Sequence, residues 1–217
     1  MITEEICDTA LESRNAAANV RVNGGLFFDA VKRIFDIVCS ILGLICLLLP
    51  MTFIAFVIRL ESSGPAIYKQ ERLGHKRKPF ILFKFRSMYI NAEANGPQWA
   101  EKDDGRVTNV GAFLRKTRLD ELPQLWNILR GEMSFVGPRP EREYFYNIFE
   151  TDIPNFGLRM LVKPGLTGWA QVNGGYDLGP EEKIEYDLEY ITKRSVSMDI
   201  RCMLKTAKLI FTHEGAR

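Results

Sequence analysis

Residues 37–58, IVCSILGLICLLLPMTFIAFVI, are the stretch that most constrains the fold of this 217-residue chain. The stretch has 22 residues without a formal charge, and most of its side chains are apolar. At ~1.5 Å per residue a straight helix of this length reaches about 33 Å, enough to cross a bilayer core of about 30 Å. The run starts too late in the chain and is too long for a cleaved signal peptide. It therefore predicts a helix that is embedded in a membrane.

Pro50 lies near the middle of this apolar run, where it removes a backbone hydrogen bond and clashes with the preceding turn. A break or bend is therefore expected. Lys32 and Arg33 precede the run and Arg59 follows it, so the positive-inside bias selects neither orientation. We predict a re-entrant helix over residues 26–60 that turns at Pro50 and leaves by the face it entered. A kinked spanning helix and a buried core helix are the alternatives.

The bulk composition limits the classes of function. The 29 basic and 27 acidic residues nearly cancel, so the chain lacks the global positive field of a general nucleic-acid binder. The four cysteines are scattered, without the spacing of a zinc site or a disulfide framework. The length suits one domain with appendages. We expect a flexible tail over residues 1–25, the re-entrant helix over residues 26–60, and a single domain over residues 61–217.

The remaining sequence predicts a helix-rich α/β unit with amphipathic helices at the membrane interface. Residues 66–70 and 80–85 are the extended candidates. A helix starting near Asp120 has apolar residues at helical spacing and ends at Arg130 and Gly131. Its apolar face is predicted to comprise Leu122, Leu125, Trp126 and Leu129. A further helix starts at Pro180, and a last one over residues 198–211 either packs on the domain or lies on lipid.

Two adjacent carboxylates, Asp120 and Glu121, stand at the predicted start of a helix. Backbone N–H groups and the helix dipole favour negative charge there, both on a carboxylate and on a phosphate. Arg115, Lys116 and Arg118 lie just upstream and can reach a diphosphate, and Mg²⁺ can bridge Asp120 to the same oxygens. Taken alone, the dipeptide also fits an ordinary exposed helix cap.

Two loops complete the set of candidate sites. Residues 131–140 hold Arg139 between two prolines, which restrict the backbone and can pre-position the guanidinium for an anion. A rigid surface turn with a solvated arginine is the alternative there. Residues 163–174 combine Lys163, Trp169 and two amides, a set suited to stacking and hydrogen bonding with a base or sugar. A core tryptophan beside glycine turns fits that loop equally well.

Together these stretches resemble the bacterial sugar transferase family, the monotopic polyprenyl-phosphate phosphoglycosyl transferases. The resemblance runs from about Phe28 to Phe211 through five ordered motifs. They are KRIFD at residues 32–36, KFRSM at 84–88, LDELPQL at 119–125, MSFVGPRP at 133–140 and PGLTGWAQVN at 164–173. The resemblance implies a membrane-associated α/β unit with a re-entrant helix broken at proline. Leu49 precedes that proline where many members have serine, and Gly175 stands where many have arginine.

The resemblance also implies roles for individual residues. Asp120 matches the aspartate that attacks the sugar-linked phosphate and contacts Mg²⁺, and Glu121 matches its dyad partner. Lys163 matches a basic position linked to nucleotide binding. The other positions that the family needs for activity correspond to Lys84, Arg115, Arg139 and Asp187.

The implied reaction transfers a sugar 1-phosphate from a UDP-sugar to undecaprenyl phosphate and releases UMP. It is a ping-pong mechanism through an aspartyl phosphosugar. The implied location is the bacterial inner membrane, with the catalytic domain on the cytosolic face and membrane lipid around the helix. This would be the first membrane step in the synthesis of an exopolysaccharide, a capsule or another glycoconjugate. The sequence leaves the sugar and the oligomeric state undetermined.

Three other functions compete with this interpretation. A non-catalytic membrane scaffold would use residues 72–78 to bind anionic headgroups and would not turn over UDP-sugars. A phosphatase would use the same aspartate and release the phosphosugar to water. A nucleic-acid module is disfavoured, because the basic run has no interleaved aromatic platform and the net charge is only +2.

Overall fold

The computed structural model describes residues 20–93, 96, 104–153, 155–175 and 178–212. Within these ranges the chain forms helices and short strands, which confirms the expected helix-rich α/β class. The helices are α1 (Gly25–Cys46), α2 (Leu48–Glu61), α3 (Asn109–Lys116), α4 (Gln124–Arg130), α5 (Glu143–Asp152), α6 (Trp169–Asn173), α7 (Pro180–Lys193) and α8 (Val196–Thr212). The strands are β1 (Ile67–Leu73), β2 (Pro79–Phe85), β3 (Ser134–Val136) and β4 (Gly165–Thr167), and 3-10 turns cover His75–Arg77, Leu119–Glu121 and Phe156–Leu161.

The apolar segment is broken as expected. Helices α1 and α2 meet at Leu47 with a bend of 61°. The break precedes Pro50 by three residues, because a proline ring clashes with the carbonyl four residues earlier, here that of Cys46. Among the described helices none is by itself both long and apolar enough to cross a membrane, whereas the bent pair qualifies when its two halves are taken together.

Helix α1 is attached to the domain along one face. Arg33 donates from its two terminal nitrogens to the carbonyl oxygens of Ile128 and Leu129, each at 2.7 Å. These carbonyls belong to the last turn of α4, where backbone acceptors have no partner within their own helix. Further along α1, Gly43 lies so close to α4 that an added Cβ would be 3.0 Å from a methyl carbon of Leu125. Arg33 and Gly43 thus fix α1 against α4.

A second connection joins α1 to strand β3. The Asp36 carboxylate is buried and accepts hydrogen bonds from the Ser134 hydroxyl and the Phe135 backbone N–H, both at 3.1 Å. A buried carboxylate is tolerated when such donors satisfy it. The apolar helix is therefore built into the core of the domain on this side.

The opposite side of the helix pair is apolar and exposed. This outer face carries large side chains at helical spacing on both helices. They include Phe27, Ile34, Val38, Ile41, Ile45, Leu49, Phe53 and Phe56. Contiguous exposed apolar surface of this kind marks an interaction with a partner or a membrane.

Both ends of the helix pair contact the domain. Before α1, the Asn23 backbone N–H donates to the carbonyl of Ile191 at 3.1 Å. At the end of α2, the Glu61 carboxylate accepts from the Val110 N–H at 3.0 Å. Residues 20–24, the described end of the segment assigned to the tail, therefore pack on the domain. Residues 1–19 lie outside the described ranges.

Two small sheets position the loops. Strands β1 and β2 pair antiparallel from Ile67↔Phe85 to Leu73↔Pro79. Strands β3 and β4 pair in parallel. Helix α4 packs on β2 through Asn127, whose side-chain oxygen accepts from the Phe83 N–H at 3.1 Å and whose amide donates to the Ile81 carbonyl at 2.7 Å. The end of β2 is thereby held beside the segment that precedes α4.

The predicted helix start near Asp120 is wrong. Asp120 lies in the 3-10 turn Leu119–Glu121, and α4 begins at Gln124. The predicted apolar face also fails at Trp126, which is 49% exposed, whereas Gln124 and Asn127 are buried. Hydrogen bonding to β2 brings the polar Asn127 inside, an interaction that hydrophobic spacing does not register. The stop at Gly131, with φ of 84°, is confirmed, as are the helix starting at Pro180 and the last helix.

Gly111, in the first turn of α3, has no room for a side chain. An added Cβ would lie 2.0 Å from the carbonyl oxygen of Ser87, a backbone atom that cannot rotate away. We expect Gly111→Ala to destabilise the fold by about 1–3 kcal/mol, because overpacking displaces backbone. Thermal unfolding of purified protein measures the effect. Gly105→Ala is the matched control, because no atom lies within 4 Å of its added Cβ. Equal melting temperatures for the two variants would contradict this packing.

Candidate active site

A cavity of about 710 Å³ opens between the β1–β2 hairpin, the Leu119–Glu121 turn and the loop that follows β3. Its volume lies within the range of about 300–1,000 Å³ that is typical of ligand sites. Basic side chains outnumber acidic ones in its described lining, which also contains Asp120 and Glu121. The basic side chains include Arg72, Lys84, Arg115, Arg118, Arg139 and Arg159. Such a cavity is suited to a multiply charged anion.

The two dyad carboxylates have different surroundings. Glu121 forms an ion pair with Lys84 at 3.0 Å, and it also accepts a short hydrogen bond from Arg139. Asp120 lies 4.0 Å from the Lys84 ammonium, and no side chain in the described part of the chain hydrogen-bonds to it. One carboxylate is thus committed to the protein, and the other is left open to a ligand.

The pKa values of the two groups move in opposite directions. Burial raises the pKa of Asp120; the Lys84 charge opposes this shift and the Glu121 charge adds to it. Burial also acts to raise the pKa of Glu121, but Arg139 and Lys84 outweigh it and hold that pKa well below its usual range. Glu121 is therefore ionised across the physiological range. Asp120 is an electron-rich, poorly solvated carboxylate whose proton affinity is higher than usual.

The backbone before the dyad is in an uncommon conformation. Arg118 has a φ of 57°, in the left-handed region that residues other than glycine seldom adopt. Such strain clusters at functional sites. The turn places the side chains of Arg118, Asp120 and Glu121 in the same cavity. Arg115, one helical turn upstream, reaches that cavity with its Nε bonded to the Ser87 hydroxyl at 2.9 Å.

Arg139 is not a solvated surface residue. The flanking Pro138 and Pro140 are buried, and the guanidinium points into the cavity towards Glu121. The neighbouring Gly137 is equally constrained, because an added Cβ would lie 2.4 Å from the carbonyl oxygen of Lys163. The rigid loop predicted from the two prolines therefore delivers a cation to the dyad.

Two of the predicted positions lie away from the cavity. Lys163 lies beside Arg33 and Asp36 of α1 and does not line the cavity; burial and the Arg33 charge lower its pKa. Trp169 donates to Glu189 at 2.7 Å, and the Lys205 ammonium lies 4.6 Å from the centre of its ring. The stretch that was predicted as a loop contains β4 and α6. The ring of Trp169 is therefore held by contacts within the protein. Within this stretch, Ala170 and Gln171 line the cavity.

Asp187 is fully buried, and it contacts the cavity only through another residue. Its carboxylate accepts from the Arg159 Nε at 2.8 Å, and Arg159 lines the cavity. The Nη1 of Arg159 is buried and has no hydrogen-bond partner among the described residues. An unpaired buried guanidinium N–H is costly unless a ligand accepts from it. No sequence motif pointed to Arg159, because this residue stands outside the five motifs, in the 3-10 turn Phe156–Leu161.

The carboxylate oxygens in the cavity suit a Mg²⁺ ion that is coordinated partly by the protein and partly by a ligand. The described residues contain no cluster of three His, Cys, Asp or Glu side chains that would hold a metal by themselves. Mg²⁺ is commonly held by one or two carboxylates together with substrate phosphates and water. Asp120, which is free of hydrogen bonds from described side chains, is the carboxylate able to serve in this way.

These features define an α/β protein with a cation-lined cavity, in which one member of an acidic pair is held by cations and the other is open to the cavity. The chain matches the sequence model of the bacterial sugar transferase family over residues 27–213, and it belongs to that family. The family resemblance inferred from the five motifs is thereby confirmed.

Several curated relatives share most of this chain. It is 42% identical over 190 residues to the UDP-N-acetylgalactosamine-undecaprenyl-phosphate N-acetylgalactosaminephosphotransferase of Aeromonas hydrophila, covering 86% of this chain and 45% of the relative. It is 41% identical over 191 residues to the UDP-glucose:undecaprenyl-phosphate glucose-1-phosphate transferase of Escherichia coli K12, covering 86% and 41%. It is 39% identical over 201 residues to the undecaprenyl-phosphate galactose phosphotransferase of Salmonella typhimurium, covering 86% and 41%. The chain spans less than half the length of these three relatives.

Because Asp187 holds the cavity residue Arg159, we expect changes to either side chain to lower the affinity of the protein for a phosphate anion. Asp187→Asn should leave Arg159 poorly oriented, and Arg159→Lys should remove the unpaired N–H. Each change should weaken inorganic pyrophosphate binding about 10-fold, the effect of losing a charge-assisted hydrogen bond. Isothermal titration of the full chain measures the affinity, with Arg130→Lys, outside the cavity, as the control. If Asp187 acts through Arg159, the double variant binds no more weakly than either single one. Additive losses would mean independent roles.

Proposed function

We propose that this protein transfers a sugar 1-phosphate from a UDP-sugar to undecaprenyl phosphate, in two displacements at one phosphorus. The observation that carries the proposal is the unequal pairing of the dyad, which leaves Asp120 open within a cation-lined cavity. The names of the relatives supply the donor and acceptor classes. Their sugars differ, so the proposal names the donor as a UDP-sugar.

In the first displacement an Asp120 carboxylate oxygen attacks the phosphorus that bears the sugar. The new bond is an acyl phosphate, and the phosphoanhydride bond to UMP breaks, so UMP leaves with the electron pair. In the second, a phosphate oxygen of the lipid acceptor attacks the same phosphorus and expels the Asp120 carboxylate. The product is a polyprenyl diphosphate sugar. Each step exchanges one phosphorus–oxygen bond for another, and no co-reactant is needed.

The surrounding cations fit this chemistry. Arg115, Arg118 and Arg139 line the cavity at the dyad, where they can neutralise charge on the transferring phosphoryl group and on departing UMP. Glu121 orients Lys84 and Arg139 by pairing with both. Arg159 also lines the cavity, and its Nη1 has no hydrogen-bond partner among the described residues.

Mg²⁺ is the cofactor we propose, held by Asp120 together with the diphosphate of the donor. When bound, it would supply charge neutralisation and fix the orientation of the phosphate oxygens. Asp120 would remain the attacking group. The partial desolvation that raises its pKa also leaves it less shielded by water as a nucleophile.

The covalent step can be tested directly. With Mg²⁺ and a sugar-labelled UDP-sugar, but without acceptor, the wild-type protein should take up stoichiometric label and release UMP in a burst. Asp120→Asn should abolish both, because the amide keeps the shape and removes the nucleophilic charge. Glu121→Gln should be impaired but should retain Asp120 as the labelled residue in peptide mapping. Lys116→Gln is the control, because Lys116 is exposed and, contrary to the expectation from the sequence, does not line the cavity.

Three outcomes would contradict or redirect the proposal. Release of phosphosugar to water in the absence of acceptor would identify a phosphatase. Absence of turnover with every UDP-sugar would favour a membrane scaffold. Intersecting initial-rate lines without an adduct would indicate direct transfer in a ternary complex, with Asp120 as a metal ligand.

We further propose that the protein lies at the bacterial inner membrane with the catalytic domain on the cytosolic face. The exposed outer face of α1 and α2 is the surface that would meet lipid. Because Asn23 and Glu61, at the two ends of this helix pair, both bond to the same domain, both ends belong on one side of the membrane. This supports a re-entrant pair over a spanning one.

Cysteine accessibility tests this topology. With the native cysteines replaced, Arg21→Cys and Lys76→Cys place single labels at exposed positions before α1 and after α2. In intact cells neither should react with a membrane-impermeant maleimide, and both should react after the inner membrane is permeabilised. A cysteine introduced in a periplasmic protein of the same cells is the positive control. Labelling of either site in intact cells would rule out the re-entrant arrangement.

A further inference from the structure

A second cavity, of about 280 Å³, adjoins the dyad on its other side. It lies between α4, β4 and α8, and its lining is largely apolar. The apolar lining residues are Leu122, Leu125, Phe135, Leu166, Val172, Met203, Ala207, Leu209 and Ile210. Arg118, Glu121 and Gln171 line this apolar cavity and the cation-lined cavity alike. The two cavities therefore lie on either side of these three residues, one of which is Glu121 of the dyad.

The threonine hydroxyls in the wall of the apolar cavity are paired within the protein. The hydroxyls of Thr167 and Thr206 lie 2.6 Å apart and share a hydrogen bond, and the Thr206 hydroxyl also donates to the Cys202 carbonyl at 2.7 Å. Gln171 donates its amide to the Leu166 carbonyl at 3.0 Å, whereas its Oε1 is buried without a hydrogen-bond partner among the described residues. Gln171 lies with Arg118 and Glu121 where the two cavities meet, and the rest of the wall, with its hydroxyls paired, suits hydrocarbon.

The apolar cavity also leads towards an exposed apolar surface. Met203 and Ala207 on α8 line it, while the adjacent Leu204, on the same helix, is 67% exposed, and Ile200 one turn earlier is also exposed. Helix α8 thus presents apolar side chains both to the cavity and to the outside. Ala207 and Ile210 line the cavity and are themselves exposed, so the apolar cavity reaches the surface along α8.

We propose that the apolar cavity binds the first isoprene units of the polyprenyl phosphate acceptor while its phosphate occupies the cation-lined cavity. This inference rests on the proposed function. The acceptor must bring one phosphate oxygen to the phosphorus held on Asp120, and the remainder of the molecule near that phosphate is hydrocarbon. The UDP-sugar has no comparable apolar part, so the apolar cavity serves the second displacement alone. Arg118, which lines both cavities, stands where the phosphate of the acceptor meets its chain.

The test separates the two displacements. Exchange of labelled UMP into UDP-sugar without acceptor reports the first displacement, and product formation at varied undecaprenyl phosphate reports the second. Met203→Trp places a larger side chain in the apolar cavity. Leu204→Trp makes the same change at the next position, outside the cavity, and is the matched control. Because Met203 is half-buried, Ala207→Phe, at an exposed position on the cavity rim, provides an independent variant.

We expect Met203→Trp and Ala207→Phe to raise the KM for undecaprenyl phosphate about 10-fold or more relative to Leu204→Trp, as hydrocarbon contacts are lost. The ratio of exchange to transfer should rise in both cavity variants and stay at the wild-type value in the control. An unchanged acceptor KM in both, or equal losses of exchange and transfer, would overturn the assignment of the cavity. Absence of exchange in the wild-type protein would instead contradict the proposed two-step reaction.

Discussion

The ion pairs of Glu121 with Lys84 and Arg139 are the interaction on which the site depends. They join the end of β2, the Leu119–Glu121 turn and the proline-bounded loop after β3, three segments that are distant in sequence. Because Lys84 and Arg139 pair with Glu121, the carboxylate of its neighbour Asp120 has no hydrogen bond from the described side chains. Adjacent, chemically similar residues thus acquire different properties from their surroundings. In a buried pair, such a division is how proteins assign different roles to two acids.

The apolar helix pair contributes to the site through α4. Arg33 caps α4 at its C-terminal end, Gly43 lets α1 approach Leu125, and Asp36 holds the start of the strand that leads to Arg139. Helix α4 in turn holds β2, which carries Lys84, through Asn127. The helix that we propose to lie in the membrane and the polar site that we propose for catalysis therefore share one core. A shift of α1 against α4 would therefore move Lys84 and Arg139, the two cations that pair with Glu121.

The two cavities separate a polar from an apolar environment at a single point, the dyad. One wall offers guanidinium groups for phosphate, and the other offers paired hydroxyls and aliphatic side chains for hydrocarbon. The proposed transfer of a sugar 1-phosphate from a nucleotide sugar to a lipid needs both environments within reach of one phosphorus. In that reaction the donor and the lipid acceptor would approach Asp120 from different sides.

The sequence alone determined the elements whose signals are local. The apolar composition of residues 37–58 predicted the helix pair, and Pro50 predicted its break. Gly131 predicted the end of α4, and the five motifs identified the family and the acidic pair. The tertiary structure decided which of these residues meet. Lys84 and Arg139 pair with Glu121, whereas Trp169 and Lys163 lie away from the cavity. Asp187 contacts the cavity only through Arg159. Trp126 is exposed and Asn127 is buried. Periodicity and capping depend on neighbours within a few residues, whereas ion pairs and cavities depend on contacts between distant segments. Only the folded chain specifies those contacts.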